Sequence, residues 1–180
     1  MTAPLTTARL QLTPAVADDW RDYHAVLSDP AIAHRSNLPR NPTPKRTQGV
    51  VDWMVRIGIS GKGFAWMIRD TDSGEMLGAI RINSIDRPQS VGAIGYEIVP
   101  SMWGRGYGTE ALKAGVQQAH RAMDIYRLEA WTLEGNPSSD RVLLKAGFQH
   151  EGTQRAKTLL DAQRLDMLLF GRLADDPMPV

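Results

Sequence analysis

The stretch PSMWGRGYGTEA, residues 100–111, constrains the fold more than any other part of the chain. It sets three glycines between two segments of unlike period. Before it, VGAIGYEIV (residues 91–99) is apolar and strand-like. After it, Leu112, Val116, Ala119 and Met123 recur at helical spacing. A strand, a glycine turn and a helix in that order leave the first helical amides unpaired and aim the positive dipole end at the turn. Gly104, Gly106 and Gly108 permit positive φ and the close approach of a ligand. Together these features predict an anion site for a phosphate or pyrophosphate, with Arg105 at its side. A tight turn with no ligand would use the same glycines.

Two phosphate-loop classes fail on residues. A P-loop needs Lys and then Ser or Thr after its last glycine, whereas Gly108 is followed by Thr109 and Glu110. A dinucleotide fingerprint needs GxGxxG, and counting from Gly104 the third glycine's place is Thr109. Composition removes other classes. Twenty-one basic against twenty acidic residues give a net charge of +1 and no basic face for nucleic acid. The absence of cysteine excludes disulfides, thiolate metal sites and a cysteine nucleophile. His24, His34 and His120 form no spaced cluster, so no metal is expected, and His150 reads as a surface residue. No apolar run reaches the roughly 18 residues of a membrane span, and MTAPLTTARLQL lacks the apolar core of a signal peptide. A cytoplasmic protein with no membrane partner is expected.

The 180 residues suit one domain. ARLQLTP (8–14) alternates as a half-buried strand, and Trp20, Tyr23 and Leu27 share a helical face behind Asp18 and Asp19. RSNLPRNPTPKR reads as a proline-punctuated loop, and a second helix presents Val50, Trp53, Met54 and Ile57 before SGKG closes it. FAWMIRD, TDSGE and MLGAIRINSID form a hairpin, and RPQS turns into the strand at 91–99. The helix after the glycine turn begins near Thr109. RLEAWTL (127–133) is a strand. GNPSSDRVLLKAGF is a short helix with Asn136 as N-cap, Pro137 first and Gly147 at the left-handed exit. Strands near 148–156 and 164–172 pair as a hairpin, and ADDPMPV is a loose tail. Tyr96, Trp131 and Phe148 read as core. The order predicts a mixed α/β or α+β sheet covered by helices.

Residues 92–152, with GYEIVPSMWGRGYGTEAL followed by RLEAWTLEGNPSSDRVLLKAGFQHEG, resemble the acetyl-CoA-binding core of the GNAT N-acetyltransferase superfamily. The branch they resemble is that of ribosomal-protein N-terminal acetyltransferases of the RimJ/RimL type. LTTARLQLTP and RLDMLLFGRL resemble its first and last strands, so the resemblance spans nearly the whole chain. It implies a mostly antiparallel, twisted sheet of six to seven strands with a splayed strand pair and about four helices. It further implies a single domain over 1–180, with substrate-side elements in 8–60, the cofactor core in 92–152 and a loose tail at 174–180. Trp103 stands where the superfamily usually has Gln or Arg. The tyrosine that many members carry on the helix after Asn136 is missing, since the chain's tyrosines are 23, 96, 107 and 126.

The resemblance implies direct acetyl transfer from acetyl-CoA to a primary amine, foremost a protein or peptide N-terminal α-amine. The alternatives are a small-molecule amine (antibiotic, polyamine or amino-acid-like metabolite) and a non-catalytic acyl-CoA-binding module. No metal is implied, and relatives are monomers or homodimers. The backbone of Glu97, Ile98 and Val99 would pair with the pantetheine arm, and a backbone amide there would stabilise the oxyanion. The residues from Gly104 through Arg105, Gly106, Tyr107 and Gly108 to Thr109 would cradle the pyrophosphate. Asn136 would bond the cofactor's arm, or serve only as N-cap, and Lys145 would reach the phosphates or face solvent. Ser139 would act as thiol-side donor, a role that competes with plain capping. Glu97 leads as the base that accepts the amine's proton, with Glu151 and Asp166 as alternatives for binding the ammonium or relaying its proton.

Overall fold

The computed structural model describes residues 3–33, 42–160 and 162–177. Eight strands form one sheet: β1 (Leu5–Thr6), β2 (Leu10–Pro14), β3 (Phe64–Asp70), β4 (Met76–Asp86), β5 (Val91–Ile98), β6 (Arg127–Leu133), β7 (Gln149–Leu160) and β8 (Gln163–Leu173). Their order is β1-β2-β3-β4-β5-β6-β8-β7. All neighbours are antiparallel except β5 and β6. The helices among the described residues are α1 (Trp20–Leu27), α2 (Pro30–Ala33), α3 (Pro44–Ile59), α4 (Tyr107–Ala122) and α5 (Pro137–Lys145). The sheet is therefore one strand wider than the expected six to seven. The additional elements, two-residue β1 and four-residue α2, are too short to leave a periodic signal.

The helices cover both faces. Leu112, Val116 and Ala119 of α4 and Leu143 of α5 pack on one face, against Leu77, Ile80 and Ile82 of β4 and Ile94 of β5. Tyr23, Val26 and Leu27 of α1 and Val51 and Met54 of α3 pack on the other, against Ala65, Met67 and Ala79. The α3 stripe differs from the expected one at two positions, Val50 and Trp53. Thr47, Val51, Met54 and Ile57 are buried, and Trp53 is only half-buried. Thr43 caps α3 and Pro44 opens it, so the end of the expected proline-rich loop is helix; its residues 35–41, with His34, lie outside the described ones. In the tail, residues 174–177 are tied down: Ala174 N donates to Tyr126 O at 2.8 Å and Asp176 accepts from Leu173 N at 2.8 Å.

Strands β5 and β6 pair over only three residues, Val91 with Arg127, Gly92 with Leu128 and Ala93 with Glu129. Beyond them β5 follows β4 to Ile98 while β6 follows β8 to Leu133, so the sheet opens into a slot. A β-bulge on β4 between Ile82 and Ser84 lies opposite Ala93 and Ile94, where the opening begins. Such a bulge adds local twist and bends its strand.

β4 and β5 are pressed together at Gly78. A Cβ there would meet Glu97 carbonyl carbon at 2.9 Å and Ile98 Cα at 3.2 Å, both backbone atoms. Gly78→Ala is expected to lower unfolding stability by about 1–3 kcal/mol, read from the midpoint of a urea titration.

Candidate active site in the slot

The slot is a cavity of about 700 Å³. The glycine turn and the start of α4 stand at the end of β5, and the start of α5 stands at the end of β6. α4 begins at Tyr107, two residues earlier than Thr109. Gly106 is its N-cap with φ 86° and no side chain caps it, so the amides of Tyr107, Gly108 and Thr109 have no intrahelical acceptor. Gly104 (φ 70°) and Gly106 occupy the left-handed region, and a Cβ on Gly104 would meet nothing within 4 Å. Gly108 has a different reason to be small. It is helical, and a Cβ there would come within 3.3 Å of the Tyr96 ring. Gly104, Gly106, Gly108 and Thr109 line the cavity, whereas Arg105 and Tyr107 do not. Arg105 Nη1 lies 3.5 Å from Met102 Sδ, along the turn. Trp103 lines the slot, and its indole N–H donates to Ile98 O at 2.7 Å, joining the turn to the end of β5. Ile98 lines the slot as well; Val99 does not, and its N–H is spent on Leu77 O at 2.8 Å.

At the other lip, Asn136 Oδ1 accepts from Ser139 N at 3.3 Å and caps α5. Asn136, Ser139 and Lys145 all line the cavity. Arg141, four residues before Lys145, lines it too and was not singled out in the sequence. The Ser139 hydroxyl meets the Tyr96 hydroxyl at 3.1 Å across the slot. Tyr96 is thus a wall of the slot rather than plain core. Burial pushes its hydroxyl up to about 12, with the Ser139 hydrogen bond opposing and Asp140 adding to the rise. Trp131 also departs from the core reading, being 40% exposed and lining the slot, while Phe148 is 2% exposed and packs as expected.

Glu97 faces the opposite side of the sheet from Tyr96, toward α1. It is 5% exposed. Its carboxylate takes Arg81 Nη1 at 2.5 Å and Nη2 at 2.6 Å, and accepts a hydrogen bond from the Tyr23 hydroxyl. Burial pushes the Tyr23 hydroxyl well up, and Glu97 adds to it. Burial favours loss of the Arg81 proton, yet the carboxylate more than offsets this and holds the guanidinium above its usual value. Each Glu97 oxygen therefore accepts at least one hydrogen bond, and the residue lines the slot. The bulged Asn83 lies beside this pair, accepting from Arg81 Nε at 3.4 Å.

The other acidic candidates lie elsewhere. Glu151 binds Arg127 at 2.9 and 2.5 Å, beside the closed end of the slot. Gly171 leaves the room for it, since a Cβ there would meet the Glu151 carboxyl carbon at 2.5 Å. Asp166 accepts from Ala156 N at 2.8 Å, holding the β7 irregularity where Ala156 adopts φ 52°. Neither lines the cavity. Among the described residues no cluster of three or more His, Asp or Glu is placed to hold a metal, and no helix is long and apolar enough to cross a membrane.

A slot between diverging parallel strands, with a glycine turn at one lip and a capped helix at the other, defines an acyl-carrier site of the acetyltransferase class. Residues 9–149 match the family described as an acetyltransferase (GNAT) domain, and the chain belongs to that family. It is 27% identical over 151 residues to the uncharacterized N-acetyltransferase YoaA of Bacillus subtilis, covering 84% of this chain and 85% of that one. It is 28% identical over 134 residues to the ribosomal protein uS5-alanine N-acetyltransferase of Escherichia coli, covering 71% of this chain and 69% of that one. Its fold superposes on RimL, a ribosomal L7/L12 α-N-protein acetyltransferase solved with coenzyme A. That match has a TM-score of 0.86 and 22% identity, covering 94% of this chain and 96% of that one.

Breaking the buried pair tests the wall facing α1. Glu97→Gln strands the Arg81 guanidinium and is expected to cost about 3–5 kcal/mol in a guanidinium chloride titration, whereas Arg81→Met with Glu97→Leu regains most of it. A Glu97→Gln protein as stable as the parent would show that the pair does not anchor this wall.

Proposed function

We propose that this protein transfers an acetyl group from acetyl-CoA directly to a primary amine, the α-amine of a protein or peptide N-terminus. The observation that carries the reading is the slot itself, open between β5 and β6 where both helices begin. The glycine turn suits the pyrophosphate: Gly104 and Gly106 remove side chains from the approach, and the amides of residues 107–109 lack helical acceptors. Arg141 and Lys145 bring positive charge to the opposite lip. Backbone groups of β5 around Ile98 run beside the pantetheine arm, with Trp103 holding that strand end in place. The same edge supplies an amide for the oxyanion.

The amine nitrogen attacks the thioester carbonyl carbon, a C–N bond forms and the C–S bond breaks. The electron pair leaves with sulfur. Ser139 donates a hydrogen bond to that sulfur, with Tyr96 at 3.1 Å fixing its hydroxyl. Glu97 maintains the acceptor-side wall through Arg81 and Tyr23, and a water chain rather than Glu97 takes the amine's proton. The peptide acceptor rests on relatives named for acetylating ribosomal-protein alanine and serine. A cytoplasmic monomer or homodimer belongs to the same reading.

Two measurements test it. Acetyl-CoA at about 100 times its Kd is expected to stabilise the fold by roughly 2.7 kcal/mol in thermal unfolding, and no shift at millimolar cofactor would sink the reading. With a panel of N-terminal peptides and small amines as acceptors, Ser139→Ala is expected to lower kcat by about 100-fold with little change in KM for acetyl-CoA. An unchanged kcat would remove Ser139 from the chemistry, and binding without turnover on any amine would leave a carrier module instead.

A further inference from the structure

The N-terminal strand region reaches across the fold to the glycine turn. Glu110, in the first turn of α4, accepts from Thr7 Oγ1 at 2.6 Å, Arg9 N at 2.9 Å and Arg9 Nε at 2.8 Å, and pairs with Arg9 Nη2 at 2.6 Å. Burial alone would raise the Glu110 carboxyl, yet these donors outweigh it and hold the group below its ordinary value. The same guanidinium donates from Nη1 to Arg105 O at 3.0 Å and lies 4.1 Å over the Tyr107 ring. One side chain therefore grips residues 105, 107 and 110, on both sides of the left-handed Gly106. Gly106 fits tightly beneath it, since a Cβ there would stand 3.4 Å from Arg9 Nη2.

We infer that Arg9 is a positioning residue for cofactor binding, holding the glycine turn in its phosphate-receiving shape before the ligand arrives. Arg9 does not line the cavity, and its charge is paired with Glu110, so it acts through the turn and not as a phosphate ligand. Glycines such as those at 104 and 106 have more backbone freedom to lose than any other residue type. Ordering it beforehand moves that cost from binding to folding. Arginine alone supplies the needed geometry, because its planar fork reaches a carboxylate and a carbonyl at once while its face stacks on tyrosine. The inference rests on the coenzyme A reading above.

The test uses Arg9→Met, Arg9→Lys and Glu110→Gln in the full chain, with CoA titration by calorimetry and amide hydrogen exchange of the ligand-free protein. Arg9→Met removes charge-assisted hydrogen bonds to the turn and is expected to weaken CoA binding roughly tenfold or more. Exchange at residues 104–109 should quicken while that of β6 and β8 stays at the wild-type rate, a local signature that general destabilisation would not give. Arg9→Lys and Glu110→Gln should fall between wild type and Arg9→Met, and they keep the test alive if Arg9→Met fails to fold. Folded Arg9→Met with wild-type CoA affinity and wild-type exchange in the turn would overturn the inference. Wild-type protein that does not bind CoA would overturn the cofactor reading instead, and the exchange data would still show whether Arg9 orders the turn.

Discussion

The site depends on one interruption: β5 and β6 stop pairing after Ala93 and Glu129. An interior sheet position that leaves backbone groups unpaired is costly unless something else satisfies them. The strands are also parallel, and that has a geometric consequence. The elements following β5 and β6 both start at the same end of the sheet, so the amino ends of α4 and α5 converge on one opening. In an antiparallel pair they would stand at opposite ends. The bulge at Ile82 and Ser84 bends β4 where the opening starts, and β5 stays with it, so the slot widens without breaking the β4–β5 ladder.

The wall facing α1 is held by charge. Arg81, Glu97 and Tyr23 come from β4, β5 and α1, and all three are nearly inaccessible. A buried ion pair adds little net stability compared with apolar residues of the same volume. Its directional bonds do fix the relation of α1, β4 and β5. The Tyr23 hydroxyl ties α1 to β5, the strand that lines the slot.

Local signals made much of the architecture legible. Asn136, Pro137 and Gly147 mark both ends of α5, and the period change at Phe64 marks the β3–β4 hairpin. The glycine pattern located the turn but treated its three glycines alike, whereas Gly104 and Gly106 take positive φ and Gly108 is helical and leaves room for the Tyr96 ring. Alternation along β5 gives two faces, yet it cannot say that the neighbouring strand departs after Ala93 and turns Tyr96 from core into wall. Arg81 and Glu97 meet only through the β4–β5 register, and Arg9 and Glu110 are 101 residues apart. Side-chain pairs of this kind depend on tertiary placement, which no short window of sequence carries. Glu151 and Asp166 show the reverse error, since their residue type suited the chemistry but their strands placed them away from the slot.

Tyr96 of β5 is the tyrosine whose hydroxyl meets Ser139, and its chemistry bears on how the proposed transfer is balanced. With its hydroxyl pushed to about 12, Tyr96 is a far weaker acid than a thiol of about 8.5, and a serine hydroxyl is weaker still. Neither group would surrender its proton to a departing thiolate. In the proposed transfer their joint effect would be a hydrogen bond to sulfur, strengthened because each hydroxyl polarises the next. With the water chain having taken the ammonium's first proton before attack, the proton that reaches sulfur in the proposed transfer would be the second one, from the attacking nitrogen, which becomes strongly acidic once the C–N bond forms. A transfer balanced in this way needs no strong base at the acceptor, and it is compatible with Glu97 being bound on both oxygens.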